Sequence, residues 1–261
     1  MHNGSMTRAD AVHFQVAAKK LAFEDRIRYL EDPSFGDPKI SLLISKKYAA
    51  ERRELVEGIL PSATSTSIQS SDTTYLCAAD RDGNVISFIQ SVFAPFGSRV
   101  IAGDTGIVMN NRLCSFGLDP SKANSLKPGK RPAHTLNTYM VFRDGEIFAL
   151  GGSPGADEQP QTNLQIIHDL VDLQMDPQSA VEAPRWSHQP GTPPRDQLPE
   201  ALRVEAGFDE VTIEDLKQKG HNVSIVDRWS FGSAKVIVRD RENGCWLGAA
   251  DPRRLAYAIG Y

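Results

Sequence analysis

The sequence changes character within SATSTSIQSSDTTYLCAADRDGNVISFIQSV, residues 62–92. Residues 62–72 contain almost no apolar side chains and cannot offset the entropy of becoming ordered, so we expect a mobile, exposed linker there. Residues 74–79 and 85–92 are rich in strand-forming side chains, and the Asp-Gly pair between them is typical of a hairpin turn. The sequence therefore predicts a β-hairpin that begins where a polar linker ends.

Helical and strand patterns surround this stretch. Before the linker, apolar side chains recur at helical spacing in residues 8–30, and a second helical region follows a Pro- and Gly-containing turn at residues 33–38. After the hairpin we expect helices at residues 162–173 and 211–219. Further strands are predicted at 106–109, 137–142 and 147–150 and near Leu202, Val223, Val236 and Trp246. Hairpins combined with packed helices indicate an α+β layered fold.

Composition narrows the classes of function. The chain has 261 residues with 29 Lys and Arg against 33 Asp and Glu, and this mixed charge argues against a nucleic-acid partner. No stretch approaches the roughly 20 apolar residues of a membrane span, and no basic segment followed by an apolar run opens the chain. We therefore expect no membrane partner and a cytoplasmic location. The three cysteines, Cys77, Cys114 and Cys245, lack metal-site or disulfide spacing, so we expect reduced thiols, no metal and no cofactor.

A series of short motifs follows the linker. Thr73 by itself would be an ordinary strand residue, because threonine favours strands. The motifs further along are Thr73-Thr74-Tyr75, Asp82-Gly83-Asn84, Phe96-Gly97-Ser98, Ala102-Gly103-Asp104-Thr105-Gly106-Ile107, Asn110-Asn111, Pro128-Gly129-Lys130-Arg131-Pro132, Gly152-Ser153-Pro154-Gly155, Ala183-Pro184-Arg185 and Ala249-Ala250-Asp251-Pro252-Arg253-Arg254. In this order they resemble the gamma-glutamyltranspeptidases, which are N-terminal nucleophile hydrolases.

The resemblance implies a fold and a division of the chain. Residues 73–261 resemble the catalytic small subunit, and residues 6–72 resemble the C-terminal tail of the large subunit with its mobile linker. The implied fold is a four-layer αββα sandwich, incomplete in this chain because the family's first half has no counterpart. A remaining large-subunit segment is therefore an expected partner. The sequence leaves a homo-oligomer open.

The same resemblance assigns the catalytic residues. Cleavage between Asp72 and Thr73 would make Thr73 an N-terminal nucleophile with its own amine as general base. Ser91 matches the family's hydroxyl residue that hydrogen-bonds the nucleophile, and the backbone amides of Gly155 and Ala156 match its oxyanion loop. Ala156 stands where transpeptidases usually have a second glycine, which reduces the freedom of the loop. A plain strand serine and a structural glycine turn remain the simpler readings of Ser91 and of this loop.

Departures from the family concern the substrate pocket. The positions that hold the amino-acid head of a gamma-glutamyl donor are occupied here by Phe93, Ser115, His134 and Thr135, so the acid that binds an ammonium is missing. Arg112 stands where a Gln is usual, and its guanidinium favours a carboxylate. This combination resembles the branch with acylase-like and oxamate amidohydrolase proteins. A structural Arg112 and a core histidine at position 134 remain the alternatives.

Two functions follow as hypotheses. The first is an autoprocessing threonine amidohydrolase that cleaves a gamma-glutamyl compound or a small acidic amide through an acyl-enzyme on Thr73. The second is a noncatalytic fragment or subunit of such an enzyme, which needs the missing large-subunit half. The expected ligand in the first case is a small-molecule amide.

Overall fold

A computed structural model of the protein describes residues 6–56, 58, 73–189 and 200–261. The predicted linker at residues 62–72 lies outside these ranges, and so does Asp72 of the predicted cleavage site. Within the described ranges, no helix has the length and apolar character needed to cross a membrane.

Helices and strands both contribute to the fold, which confirms the α+β class. The helices are α1 (Arg8–Tyr29), α2 (Ile40–Leu43), α3 (Lys46–Val56), α4 (Gln159–Val171), α5 (Pro177–Glu182) and α6 (Glu210–Gln218). The strands are β1 (Thr73–Ala79), β2 (Val85–Ser91), β3 (Thr138–Arg143), β4 (Glu146–Gly152), β5 (Trp186–Gln189), β6 (Ala201–Glu205), β7 (Val223–Val226), β8 (Lys235–Asp240) and β9 (Cys245–Ala250).

The chain forms two compact units. The first comprises Met1–Ser67, Arg112–His134 and His188–Ile225, and the second comprises Ile68–Asn111, Thr135–Ser187 and Val226–Tyr261. The predicted division of the chain at residue 73 refers to cleavage of a peptide bond, which these two units do not test. It therefore stays a prediction.

Helix α1 organises the first unit. Its start is fixed by a capping box, in which the Thr7 side chain accepts from the Asp10 backbone and the Asp10 side chain accepts from the Thr7 backbone. α1 contacts α3 and α6. Tyr48 of α3 donates to the buried Asp25 carboxylate at 2.7 Å, and Arg52 donates to the same group, so α3 is held to α1 by paired polar groups rather than by apolar packing alone.

A second set of polar contacts in this unit involves one of the sequence motifs. Arg131 donates to the Asp32 carboxylate through its backbone N–H at 2.9 Å and through its guanidinium at 3.1 and 3.0 Å. The neighbouring Lys130 ammonium lies 3.4 Å from Glu31 and donates to the Ala123 carbonyl. The Pro-Gly-Lys-Arg-Pro motif therefore fastens its loop to the segment that follows α1.

The second unit is built on a four-stranded antiparallel sheet in the order β3-β4-β8-β9. Its apolar core includes Ala149 of β4, Ile166 of α4, Val181 of α5 and Val236 of β8. The hairpin β1-β2 contacts this sheet, and Tyr75 packs so closely on Gly152 that a Cβ there would lie 2.7 Å from the ring. A glycine at the end of β4 thus lets the hairpin approach the sheet.

The predicted strand at residues 106–109 is wrong. Only an isolated bridge between Ile101 and Val108 forms there, because Gly103 and Gly106 adopt positive φ angles and turn the backbone. The short helix α5 and the strand β5 were not predicted. The helices at 8–30, 162–173 and 211–219 and the hairpin are confirmed to within three residues at each end.

Candidate active site

The register of the β1-β2 hairpin brings two hydroxyl groups together. Thr73, the first residue of β1, lies opposite Ser91, the last residue of β2. The Thr73 hydroxyl donates to the Ser91 Oγ at 3.1 Å, and Thr73 is only 5% exposed. Two residues 18 positions apart are therefore paired at the end of the hairpin where the linker enters.

Ser91 has a second role that the sequence did not indicate. Its Oγ also accepts from the Phe93 backbone N–H at 2.9 Å. Phe93 has a φ of 79°, in the left-handed region that a bulky residue rarely adopts, and such strain persists only where surrounding contacts hold it. Ser91 therefore fixes both the Thr73 hydroxyl and the turn that presents the half-buried Phe93.

The predicted oxyanion loop follows β4. Gly155 has a φ of 131° and Ala156 a φ of 50°, so both residues lie outside the ordinary range, and only the first is a glycine. Glu158 donates its backbone N–H to the Gly155 carbonyl at 2.9 Å, which closes a turn before α4. Gly232 packs on the loop, since a Cβ there would lie 2.1 Å from the Pro154 carbonyl oxygen. The loop is thus tightly confined.

A groove of about 540 Å³ in the second unit is lined in part by Thr73. It is lined by β1 residues 73–77, by Pro154 of the predicted oxyanion loop, by Lys235 and by residues 254–259 of the C-terminal segment. Burial lowers the pKa of the Lys235 ammonium, which donates to Ser233 at 2.9 Å. Sequence reasoning missed Lys235, because no motif marked it.

Thr135, also in the second unit, lies two residues before Asn137, which is hydrogen-bonded to α4. The Asn137 backbone N–H donates to the Gln159 side chain at 2.8 Å, and the Asn163 side chain donates to Asn137 Oδ1 at 2.7 Å. These contacts tie the half-buried Thr135 segment to the helix that follows the predicted oxyanion loop.

The other predicted substrate residues lie in the first unit. Arg112 begins a short 3-10 helix, Arg112–Ser115, and its side chain is buried. The pKa of His134 is lowered by partial desolvation and by the positive charges of Arg112 and Arg26. The half-buried Ser115 offers its backbone carbonyl to Asn124 at 2.7 Å. Arg112 and His134 thus share one electropositive region, whereas Phe93 and Thr135 belong to the second unit.

Two of the motifs meet in a buried ion pair of the second unit. Arg185 donates to Asp251 at 2.6 Å and to the Gly232 carbonyl at 2.7 Å. Arg253 donates to the other Asp251 oxygen at 3.0 Å. Since Gly232 packs on Pro154, this network supports the base of the predicted oxyanion loop. The sequence marked both motifs but gave no sign that they pair.

Among the described residues, no group of three or more His, Cys, Asp or Glu side chains is placed to hold a metal ion. The groups that the structure places beside Thr73 include the Ser91 hydroxyl and, along the same groove, the Lys235 ammonium. A threonine hydroxyl needs a base before it can attack a carbonyl.

Comparison with known proteins places this geometry in a family. The sequence profile described as gamma-glutamyltranspeptidase matches residues 1–261. The chain is 41% identical over 250 residues to the glutathione hydrolase-like YwrD proenzyme of Bacillus subtilis, a match that covers 95% of this chain and 47% of that protein. The crystal structure of cephalosporin acylase from Bacillus halodurans is 33% identical with a TM-score of 0.81, and the match covers 98% of this chain and 46% of that one.

A shorter solved chain matches part of the protein. A gamma-glutamyltranspeptidase chain from Helicobacter pylori is 28% identical with a TM-score of 0.59, and the match covers 69% of this chain and 100% of that one. The protein therefore spans about half the length of the longer relatives and all of this shorter one. The ordered motifs, the profile match over the whole chain and the structural likeness lead to one conclusion: the chain belongs to the gamma-glutamyltranspeptidase family.

Proposed function

We propose that the protein is an autoprocessing threonine amidohydrolase, in which Thr73 becomes an N-terminal nucleophile. The observation that carries the proposal is the pairing of the Thr73 hydroxyl with Ser91 at 3.1 Å, at the start of a strand and beside a groove that Thr73 helps to line. The relative from Bacillus subtilis bears the name of a proenzyme, which agrees with activation by cleavage.

Cleavage before Thr73 supplies the missing base. The bond between Asp72 and Thr73 hydrolyses, and the amide nitrogen of Thr73 becomes a free α-amine. Because an α-amine titrates at roughly 7.7 to 8.0, a useful fraction is neutral at physiological pH. It accepts the proton of the Thr73 hydroxyl, and Ser91 keeps that hydroxyl in place.

The acyl transfer then proceeds in two steps. The Thr73 oxygen attacks the carbonyl carbon of an amide, and the tetrahedral oxyanion is stabilised by the backbone N–H groups of Gly155 and Ala156. Collapse breaks the C–N bond, the leaving amine takes the proton, and an ester on Thr73 remains. Water hydrolyses the ester and regenerates the hydroxyl. Losing one such oxyanion donor typically lowers turnover by roughly a hundred- to thousandfold.

The length of the shorter solved chain supports the position of the cut. All of that gamma-glutamyltranspeptidase chain corresponds to 69% of this protein. A cut before Thr73 leaves residues 73–261, which is about 72% of the 261 residues. The two shares agree closely, so residues 73–261 are proposed as the small subunit and residues 6–72 as the tail of the large subunit. The four-layer sandwich belongs to the same proposal.

An acidic amide without an α-amine is the proposed substrate class. Arg112 and His134 share an electropositive region with Arg26 in the first unit. No acid is found at the positions that would hold a substrate ammonium in the family, and burying an ammonium without a counter-charge is costly. Arg112 is proposed to bind a substrate carboxylate through two parallel hydrogen bonds.

The second candidate function rests on the length of this chain compared with the longer relatives. The protein spans about half of the longer relatives, so a noncatalytic subunit that requires the other half is the alternative. It predicts that the purified chain neither splits nor hydrolyses amides.

Variants of two adjacent threonines separate these functions. Thr73→Ala should remain a single chain without activity, whereas Thr73→Ser should still split, though slowly, because the reaction needs only a hydroxyl. Thr74→Ala is the matched control, since Thr74 is exposed on the opposite face of β1. Splitting is followed on a denaturing gel, and hydrolysis is measured with oxamate and glutathione. If Thr74→Ala lost both splitting and hydrolysis while Thr73→Ala kept them, the assignment of Thr73 as the nucleophile would be overturned.

A further inference from the structure

The predicted oxyanion loop is bracketed by two contacts with the start of β3. Thr138, the first residue of β3, pairs with Gly152 at the end of β4, where the chain enters the loop. Asn137, one residue earlier, donates its backbone N–H to the Gln159 side chain at 2.8 Å, where the chain leaves the loop and α4 begins. Both ends of the loop, residues 153–158, are therefore fastened to adjacent positions of one segment.

The Gln159 side chain is held in one orientation. It is fully buried, and because a backbone N–H can only donate, the contact with Asn137 fixes the side-chain oxygen toward the start of β3. The Gln159 backbone N–H donates to the Ala156 carbonyl, inside the loop. Gln159 thus contacts the loop through its backbone and the segment that contains Thr135 and Asn137 through its side chain.

A second amide side chain of α4 completes the hold on Asn137. Asn163, one turn along the helix from Gln159, donates to the Asn137 backbone carbonyl at 3.2 Å and to Asn137 Oδ1 at 2.7 Å. The N–H and the C=O of Asn137 are therefore both bonded to side chains of α4, as they would be to a neighbouring strand. Helix α4 takes over the pairing at the point where β4 turns away into the loop.

We propose that Gln159 is a positioning residue, which aligns the loop amides of Gly155 and Ala156 with the substrate-binding segment at Thr135. The proposal rests on the proposed function, in which these amides stabilise the oxyanion and Thr135 contacts the substrate. A substrate that immobilises Thr135 then also immobilises the loop, because Asn137 follows Thr135 by two residues and is bonded to Gln159. Displacing a stabilising group by about 1 Å lowers a rate by roughly a hundredfold.

Gln159→Met tests this role in kinetics. The variant keeps a flexible side chain of similar length but removes the oxygen that accepts from Asn137. It should lower kcat for oxamate by roughly ten- to hundredfold, because the loop amides lose their alignment. KM should change by less than about threefold, since the lost interaction acts in the transition state rather than on the bound substrate.

Hydrogen exchange tests the same link without any activity. The measurement uses a Thr73→Ala background, so that splitting of the chain does not change the sample. Adding Gln159→Met should speed exchange of the Asn137 amide and of the amides of residues 155–158 at least about tenfold. If the parent chain hydrolyses no amide, the proposed function fails, and exchange alone decides whether Gln159 holds the loop.

Gln165→Met is the matched control, because Gln165 is a buried glutamine of the same helix that holds a different segment. It accepts from the Trp186 backbone N–H at 2.9 Å and donates to the Trp186 carbonyl at 3.0 Å. Urea midpoints measure the stability that each variant loses. Gln165→Met should leave kcat and the exchange of residues 155–158 close to those of the parent.

Three results would overturn the proposal. The first is unchanged exchange of residues 155–158 in Gln159→Met. The second is an effect of Gln159→Met on KM rather than on kcat. The third is equal effects of Gln159→Met and Gln165→Met on kcat and on exchange, since these would follow from lost stability alone.

Discussion

Replacement of Asp251 by alanine tests the ion-pair network beneath the predicted oxyanion loop. The Asp251 carboxylate accepts four hydrogen bonds, from the Arg185 guanidinium at 2.6 Å, the Ala234 backbone at 2.8 Å, and the Arg253 guanidinium and backbone at 3.0 Å each. The side chains of Arg185 and Arg253 are 2% and 0% exposed. Removing the acid therefore leaves two guanidinium groups buried without their carboxylate.

The magnitude follows from that burial. Breaking a buried pair by removing one partner costs about 3–5 kcal/mol, because the remaining charge is uncompensated. Because two buried guanidinium groups lose their carboxylate, we expect a loss of stability near the upper end of this range. For a chain of this size about 1 kcal/mol lowers the melting temperature by roughly 2–4 °C, so we expect a decrease of about 10–20 °C.

Urea and thermal unfolding followed by tryptophan fluorescence measure this loss, since Trp186 is 2% exposed and adjacent to Arg185. Asp172→Ala is the control: Asp172 pairs with His168 at 2.8 Å on the surface, and its loss should cost less than about 1 kcal/mol. Equal effects of the two substitutions, or a loss under about 1 kcal/mol for Asp251→Ala, would refute the role assigned to the buried pair.

Three further outcomes are expected. Ser91→Ala should slow splitting of the chain at least about tenfold on a gel time course, since about 1.4 kcal/mol of positioning energy corresponds to that factor; an unchanged rate would contradict the role of Ser91. Arg112→Lys should raise the KM for oxamate more than that for glutathione, because a point charge cannot reproduce the guanidinium fork; equal KM values in parent and variant would contradict carboxylate binding. Burial lowers the pKa of His188 and of His221 from 6.5 to about 4. Between these two pH values the unfolded chain therefore binds protons that the folded chain does not. The free energy of unfolding should fall as pH decreases from about 6.5 to about 4. Denaturation midpoints at several pH values measure this slope, and a double His188→Gln, His221→Gln variant that keeps the full slope would contradict it.

Local patterns gave the elements that surround Thr73. Helix α1 and the β1-β2 hairpin follow from side-chain periodicity and an Asp-Gly turn within short stretches of chain. Hairpin register alone then places Ser91 opposite Thr73. The strand predicted at 106–109 failed because Gly103 and Gly106 adopt positive φ angles and bend the backbone.

Long-range pairs were beyond the reach of these patterns. Arg185 and Asp251 lie 66 positions apart, and the His13–His221 contact at 2.9 Å joins residues 208 positions apart. No periodicity or turn signal connects such residues. The left-handed conformation of Phe93 likewise depends on Ser91, and the groove beside β1 depends on a C-terminal segment remote in sequence.

The N-terminal sequence of the piece that contains residues 73–261 tests the central claim most directly. The purified chain should split into pieces of about 8 and 21 kDa, in proportion to 72 and 189 of the 261 residues in 28.7 kDa. Edman degradation of the larger piece should read Thr-Thr-Tyr-Leu-Cys, beginning at Thr73. The account would be contradicted if the chain stayed whole at 28.7 kDa even after the half of the longer relatives that it does not match was added. A piece with any other N-terminus would also contradict it.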